Sequence, residues 1–298
     1  MASVQRIKPE AETVAPERRG LKKGLYLIPS AFTAANILMG FIAIMASLRG
    51  FQLVGTRTGE ALARAAALFD NAAIAIGFAM FFDMLDGRIA RMTKTTTEIG
   101  VQFDSIADVL TFGIAPSLLV YTWSYGSALP EGSNLHKLGW FLSFMYLMCG
   151  AFRLARFNVQ AARPRLIAEG TIKLDKKSFV GLPIPLAAGL LAAVIHFAPM
   201  PFIQYGEGKA VLYSGLMMTM VACLGALMVS TLRYSSFKTV GTTRRSTRMM
   251  ILFIAALGVL VWLFSRYVLL ASVAIYVLHG IIFRLFSLIR RKPESAKS

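Results

Sequence analysis

The sequence predicts an all-α integral membrane protein, a polytopic helical bundle of about eight transmembrane helices. Three observations support this fold class. Of the 298 residues, 56% are hydrophobic and only 16% are charged. The mean hydropathy is +0.61, well above that of soluble domains. Several apolar runs also reach the roughly 20 helical residues needed to cross about 30 Å of hydrocarbon.

Eight apolar runs define the predicted spans. The last stretch, from Met249 to Leu288, is broken near its middle by Ser265 and Arg266. One helix of that length would be too long for a bilayer, so we predict two spans joined by a tight turn at these residues. The predicted spans are 25–48, 67–91, 102–123, 138–157, 180–199, 210–232, 249–265 and 267–287.

Basic residues are distributed unevenly between the two ends of these spans. The net charge is +17, and clusters of Lys and Arg precede the first span and follow the fourth, sixth and last. By the positive-inside rule both termini are cytoplasmic, which requires an even number of spans. We interpret the charge as topology and attraction to anionic lipid headgroups, and we expect no nucleic-acid partner. The expected location is the cell inner membrane.

Four aspartates within predicted spans are the most unusual feature of the chain. A charge at the bilayer centre costs roughly 2.5–3.5 kcal/mol on insertion scales, so such acids commonly line a functional cavity. Asp83 and Asp86 are three residues apart, and Asp104 and Asp108 are four apart, so each pair lies on one helix face. The segment MTKTTTEIG between the pairs predicts a turn. The resulting helix hairpin would bring four carboxylates together near the cytoplasmic surface.

Clustered carboxylates favour a hard divalent cation. Like charges so close repel one another unless a cation neutralises them. Oxygen ligands without nearby Cys or His favour Mg²⁺, Mn²⁺ or Ca²⁺, and two such ions suit phosphoryl chemistry. The small residues Gly87, Ala90 and Gly100 leave room for a bulky ligand, and Arg91 offers a positive charge for a phosphate.

Two other interpretations of the acids differ in strength. Pairing with Arg88, Arg91 and Lys94 alone would leave one acid without a base and the small residues unexplained. An acid-lined path for a cation is a transporter feature, although transporters commonly show paired halves and these acids are confined to one hairpin. The cation transporter remains an alternative at this point.

The acidic hairpin resembles the complete signature of the CDP-alcohol phosphatidyltransferase family. That resemblance implies transfer of a phosphatidyl group from a CDP-linked lipid to an alcohol, with divalent metal and release of CMP. The matching pattern is Asp83-x-x-Asp86-Gly87-x-x-Ala90-Arg91, then eight residues, then Gly100-x-x-x-Asp104-x-x-x-Asp108.

Segments around the signature are similar to the membrane-integral phosphatidylserine synthases of bacteria and archaea within this family. They include PSAFTAANILMGF (29–41), CGAFRLARFNV (149–159) and LMVSTLRYSSFK (227–238). This similarity implies CDP-diacylglycerol and L-serine as substrates, in a six-helix catalytic core. A family member with another acceptor, such as glycerol phosphate, inositol phosphate or choline, is the nearest alternative.

The resemblance also implies roles for individual residues. Asp83, Asp86 and Asp104 would bind metal, with two ions of Mg²⁺ or Mn²⁺ expected. Asp108 would be the general base that deprotonates the serine hydroxyl and would also contact the second ion. The residues implied to bind the CDP-lipid are Thr33, Asn36, Gly87, Ala90, Arg91 and Gly100.

Two arginines at the cytoplasmic end of the fourth span are further candidates. Arg153 and Arg156 in FRLARFN could bind the diphosphate or the serine carboxylate, because a guanidinium binds such groups in a bidentate manner. The alternative is that both side chains extend to lipid headgroups, as arginines at helix ends do.

These expectations divide the chain into three parts. Residues 1–24 would form a basic cytoplasmic segment, 25–232 the CDP-alcohol phosphatidyltransferase core, and 233–298 a two-helix extension with a basic tail. The resemblance implies a homodimer in the lipid bilayer, with the active site open to the cytoplasm.

Overall fold

A computed structural model describes residues 19–93, 98–162, 178–230, 233–235, 258–261 and 263–279. Five of its helices are long and apolar enough to cross a membrane: Ala31–Val54, Gly59–Ala90, Ile99–Ala128, Asn134–Val159 and Glu207–Val229. Two shorter apolar helices, Ile184–Phe197 and Leu263–His279, accompany them. The protein is therefore an all-α, multi-pass membrane protein, as predicted.

The elements follow one another in a simple order. Their bounds are α1 Arg19–Val54, α2 Gly59–Thr93, α3 Glu98–Asp108, a π-helix Val109–Ile114, α4 Ala115–Trp123, α5 Tyr125–Ala128, α6 Asn134–Ala162, β1 Ser178–Val180, α7 Ile184–Phe197, a 3₁₀ helix Phe202–Tyr205, α8 Glu207–Val229, β2 Arg233–Ser235 and α9 Leu263–His279.

Helix α2 lies at the centre of the packing. It packs along α1 and against α7, while α6 packs along α8. The face of α2 towards its neighbours consists mainly of alanines, whose small side chains let helices approach closely in a membrane. Helix α7 is buried over most of its length and begins after Pro183, which fits a residue that lacks a backbone donor.

Two short strands join the loops at the end of the bundle where α2 meets α3. Strand β1 pairs antiparallel with β2 in the register Phe179 to Tyr234. Gly181 follows β1 with φ at +81°, a conformation that favours glycine. The backbone N–H of Leu182 then donates to the carbonyl of Leu227 at 3.1 Å, which fixes the start of α7 against α8.

The last two predicted spans need a correction. The predicted turn at Ser265 and Arg266 is wrong, because both residues lie inside helix α9. Most of the predicted span 249–265 and the end of 267–287 lie outside the described residues. The physical reason for the error is that the two polar side chains contact protein groups and do not mark a surface turn.

Candidate active site

Three carboxylates from two helices converge at the end of the bundle where α2 and α3 meet. Asp83 of α2 and Asp104 and Asp108 of α3 each offer one oxygen, and these atoms all lie within 4.8 Å of one another. The carboxyl groups of Asp83 and Asp108 interact electrostatically across the two helices. The helix hairpin predicted from the spacing thus brings these three acids together.

Asp86 lies beside this group and is held by α1. Its side chain is only 4% exposed, and it accepts a hydrogen bond from the Thr33 hydroxyl at 3.0 Å. Among the described residues, the three-carboxylate group does not include Asp86. Its carboxylate nevertheless interacts electrostatically with Asp83 and Asp104. Thr33 was predicted to lie near the nucleotide, and the structure places its hydroxyl on this acid.

Asn36 lies one turn after Thr33 on α1 and is fully buried. Neither its amide nitrogen nor its amide oxygen has a hydrogen-bond partner among the described residues. A buried carboxamide without partners is costly, so this side chain is suited to bind a group that the protein itself does not supply. Its backbone carbonyl accepts a hydrogen bond from Thr111 at 3.3 Å.

A π-helix begins directly after Asp108. The backbone N–H of Ala115 donates to the carbonyl of Leu110, five residues earlier. Thr111 lies in this turn and packs on Gly40 of α1, where an added Cβ would come within 2.5 Å of the Thr111 hydroxyl. Single π-helical turns are frequent at functional sites. No sequence pattern indicated this turn, because residues 109–114 read as ordinary apolar helix.

The two candidate arginines of α6 have different surroundings. Arg153 is 8% exposed, its Nε has no hydrogen-bond partner among the described residues, and its charge interacts with that of Asp108. Arg156 donates from Nη1 to the carbonyl of Val229 at 3.1 Å, at the end of α8. Neither side chain is exposed, so the structure does not favour extension to lipid headgroups.

Asn158, which sequence reasoning missed, also links α6 to the acidic helix. Its amide donates at 2.8 Å to the hydroxyl of Ser105, the residue that follows Asp104 in the chain. No helical spacing in FRLARFN indicates this contact, because Asn158 lies two residues from Arg156 and five from Arg153 and so shares a helix face with neither. This contact fixes α3 against α6 next to the carboxylates.

The remaining signature residues are only partly described. Gly87 and Ala90 continue α2 by one turn beyond Asp83 and Asp86 and are half-buried, and Gly100 is exposed near the start of α3. The backbone of Arg91 belongs to α2, but its side chain lies outside the described part of the chain. The predicted roles of these four residues stay predictions.

The donor set fits a divalent cation. Buried Oδ1 atoms of Asp104 and Asp108 have no hydrogen-bond partner among the described residues, and Asp83 adds a third oxygen nearby. Three carboxylates so close are stabilised by a cation, and all-oxygen ligands favour hard divalent ions. The structure therefore supports a metal centre at the position that the spacing predicted.

A family model for CDP-alcohol phosphatidyltransferase matches residues 26–224, which is more than half of the chain and includes all four aspartates. The chain belongs to the CDP-alcohol phosphatidyltransferase family. The match ends within α8, so α9 lies beyond the region that this family model covers.

Similar proteins are found in several organisms. A protein of Helicobacter pylori (strain ATCC 700392 / 26695) is 32% identical over 267 residues, which cover 89% of this chain and 94% of the relative. One of Methanocaldococcus jannaschii is 31% identical over 206 residues, 69% of this chain and 72% of the relative. One of Bacillus subtilis is 26% identical over 212 residues, 71% of this chain and 91% of the relative. All three relatives are named CDP-diacylglycerol--serine O-phosphatidyltransferase.

Proposed function

We propose that the protein transfers the phosphatidyl group of CDP-diacylglycerol to the hydroxyl of L-serine, giving phosphatidylserine and CMP. The observation that carries this proposal is the convergence of Asp83, Asp104 and Asp108 in a member of the CDP-alcohol phosphatidyltransferase family. The choice of serine is supported by the names of the relatives that align with most of the chain.

Asp108 is the proposed general base. Its position four residues after Asp104 places it on the same face of α3, inside the carboxylate group. One carboxylate oxygen accepts the serine hydroxyl proton as the serine oxygen bonds to phosphorus. The bond from phosphorus to the CMP oxygen breaks in the same displacement. A positioned base typically contributes about 10²–10⁴-fold to the rate.

Asp83, Asp86, Asp104 and Asp108 are the residues that would hold divalent metal. Mg²⁺ or Mn²⁺, with two ions expected, would neutralise the diphosphate and the developing charge on the leaving CMP. The Thr33 hydroxyl holds Asp86 in position through its hydrogen bond. Asp83 comes from α2 and Asp104 from α3, so correct packing of the hairpin is a condition for the site.

The substrate contacts in this proposal come from α1, α2, α3 and α6. Arg153, buried beside Asp108, binds the diphosphate or the serine carboxylate through its guanidinium. Arg156 is a candidate for the same group, with one nitrogen already bonded to Val229. The residues proposed to shape or contact the CDP-lipid are Thr33, Asn36, Gly87, Ala90, Arg91 and Gly100.

We further propose that both termini and the carboxylates face the cytoplasm, in a homodimer in the cell inner membrane. The uneven distribution of Lys and Arg supports this orientation. The proposed catalytic core is 25–232, with 1–24 as a basic segment and 233–298 as an extension. Labelling of single engineered cysteines in intact cells checks the orientation, and light scattering of the purified protein checks the dimer.

The activity test uses the purified full-length protein in detergent with CDP-diacylglycerol and Mn²⁺ or Mg²⁺. CMP release is measured with L-serine, glycerol 3-phosphate, inositol phosphate or choline added separately. We expect release with serine alone and none in the presence of a chelator. Release with another acceptor would overturn the serine assignment, and no release with any acceptor would contradict the proposed transfer.

A further inference from the structure

A second polar cluster lies in the bundle away from the carboxylates, where α2, α7 and α9 meet. His196 Nδ1 lies 2.5 Å from Asp70 Oδ1, and His196 Nε2 lies 2.9 Å from the Ser265 hydroxyl. Arg266 Nη2 donates to the other Asp70 oxygen at 3.5 Å. We call these four residues the polar clasp.

The clasp is separate from the candidate active site. Asp70 precedes Asp83 on the same helix by roughly 20 Å at 1.5 Å per residue. The Asp70 side chain is 18% exposed and that of His196 is 10% exposed. A carboxylate placed inside a membrane span is costly without partners, so Asp70 requires the contacts with His196 and Arg266.

The hydrogen bonds of the clasp depend on α9. A neutral His196 that donates from Nδ1 to Asp70 accepts a hydrogen bond from the Ser265 hydroxyl at Nε2, and a charged His196 donates to both. Arg266 satisfies the second carboxylate oxygen. Without α9, the Nε2 atom of His196 and the Oδ2 atom of Asp70 would lose the partners that the structure gives them.

Apolar contacts continue the same interface along α9. Leu270, Val273 and Ala274 pack against the core, and Val277 is 4% exposed. Their spacing of three and four residues forms one helix face. The Phe197 ring also contacts the Tyr267 ring edge-on, with ring centroids 5.5 Å apart. The clasp thus lies at one end of a continuous contact between α9 and the bundle.

The order Asp–His–Ser resembles the hydrogen-bond relay of a serine hydrolase. Such a relay acts only where the serine faces a pocket for its substrate. A cavity of about 390 Å³ lies near the end of α7 and is lined by Val194, Phe197 and Ala198, but His196 and Ser265 are not among its lining residues. The contacts therefore fit a helix-docking role better than nucleophilic catalysis.

We propose that the polar clasp docks the C-terminal helix α9 onto α2 and α7, with His196 as the central hydrogen-bonding group. Asp70 and His196 lie within the region matched by the family model, whereas Ser265 and Arg266 lie beyond it. The clasp thus joins the extension to the catalytic bundle. This role is independent of the phosphatidyl-transfer reaction and can be tested without measuring turnover.

Cross-linking of full-length protein in lipid nanodiscs tests the docking directly. In a background with Cys149→Ala and Cys223→Ala, the substitutions Phe197→Cys and Tyr267→Cys place a thiol pair across the interface. A short bifunctional thiol reagent then reports how often the two helices are in contact. We expect His196→Leu to raise the ratio of undocked to docked α9 about tenfold, the factor that one charge-assisted hydrogen bond is worth, and so to slow cross-linking.

Ser265→Ala should have a smaller effect than His196→Leu, and Ser272→Ala is its matched control. Ser272 lies on the same helix, is exposed and bonds only to the Leu269 carbonyl among the described residues. We expect Ser265→Ala to slow cross-linking several-fold and Ser272→Ala to leave the rate unchanged. Equal rates for His196→Leu, Ser265→Ala and Ser272→Ala would overturn the proposal.

Thermal unfolding in the same nanodiscs gives a second readout. Asp70→Leu and His196→Leu each leave a polar partner without its bond, whereas the double substitution removes both groups. The double variant should therefore lose less stability than the two single losses combined. Additive losses would contradict a direct pairing.

Labelling of Ser265 by a fluorophosphonate, absent in Ser265→Ala, would overturn docking in favour of a nucleophilic serine.

Discussion

Asp70 and Asp108 are both carboxylates within membrane spans of one bundle, but their surroundings are opposite. Asp70 is bonded to His196 and lies near Arg266, so the protein itself satisfies its charge. Asp108 lies among other acids, and its Oδ1 has no hydrogen-bond partner among the described residues. The partners of an intramembrane acid, more than its presence, therefore separate a structural role from a chemical one.

Loss of Asp70 and loss of Asp108 should have different consequences. Removing a paired acid leaves its base without a bond and weakens the packing of helices. Removing an acid from the carboxylate cluster relieves repulsion between the remaining acids and deprives the reaction of a ligand or a base. Loss of the paired acid should therefore mainly lower stability, and loss of an acid of the carboxylate cluster should mainly lower turnover.

Removal of divalent metal should have the largest effect. With excess chelator, CMP release in the presence of serine should fall to background, because the carboxylates would then repel each other and the diphosphate. Addition of Mg²⁺ or Mn²⁺ should restore it. The cross-linking rate at the clasp should stay constant throughout, and full turnover under chelation would contradict a metal role for the carboxylates.

Asp108→Asn should lower turnover by about 10²–10⁴-fold, because the amide cannot accept the serine proton. CDP-diacylglycerol binding, measured by calorimetry, should be retained. Asp70→Asn is the matched control, with lower thermal stability expected but turnover per folded molecule kept. Near-normal turnover in Asp108→Asn would refute its role as the base.

Thr33→Val should raise the metal concentration needed for half-maximal activity by about tenfold. The substitution removes the hydroxyl that holds Asp86, and loss of such a supporting hydrogen bond typically costs about 10–100-fold in metal affinity or activity. Thr219→Val is the control, since Thr219 is exposed and its hydroxyl donates to the Gly215 carbonyl within α8. Equal metal dependence in the two variants would show that this contact does not support the site.

Arg153→Lys and Arg156→Lys should have the smallest effects and should differ from each other. Arg153→Lys should raise the KM for serine or for CDP-diacylglycerol several-fold, because lysine cannot make the bidentate contact. Arg156→Lys should mainly lower thermal stability through loss of the bond to Val229. Unchanged KM values in both variants would remove these arginines from the proposed substrate contacts.

The sequence predicted the fold class and the acidic hairpin because both depend on local spacing. Asp104 and Asp108 share a face of α3 for the same reason that any residues four apart do. The fold class follows from apolar length, which is read without knowledge of contacts. Neither prediction required information about residues distant in the chain.

The clasp could not be predicted in this way. His196 lies 126 residues from Asp70 and 69 from Ser265, and no motif connects them. The sequence predicts a turn at Ser265 and Arg266, because polar residues inside an apolar run commonly mark its end. Their partners on α2 and α7 explain why they remain inside a helix.

The π-helix after Asp108 adjusts the rotational phase of the third span. Each residue turns an α-helix by about 100°, and a wider turn changes the phase of everything that follows it. Asp104 and Asp108 lie on one face of α3, and α4 packs against α1 and α6 with a face of its own. Because the π-helix lies between them, the direction of one face does not fix the direction of the other. Because of residues 109–114, the sequence of the first half of this span can change to suit ligand geometry while that of the second half changes to suit close packing.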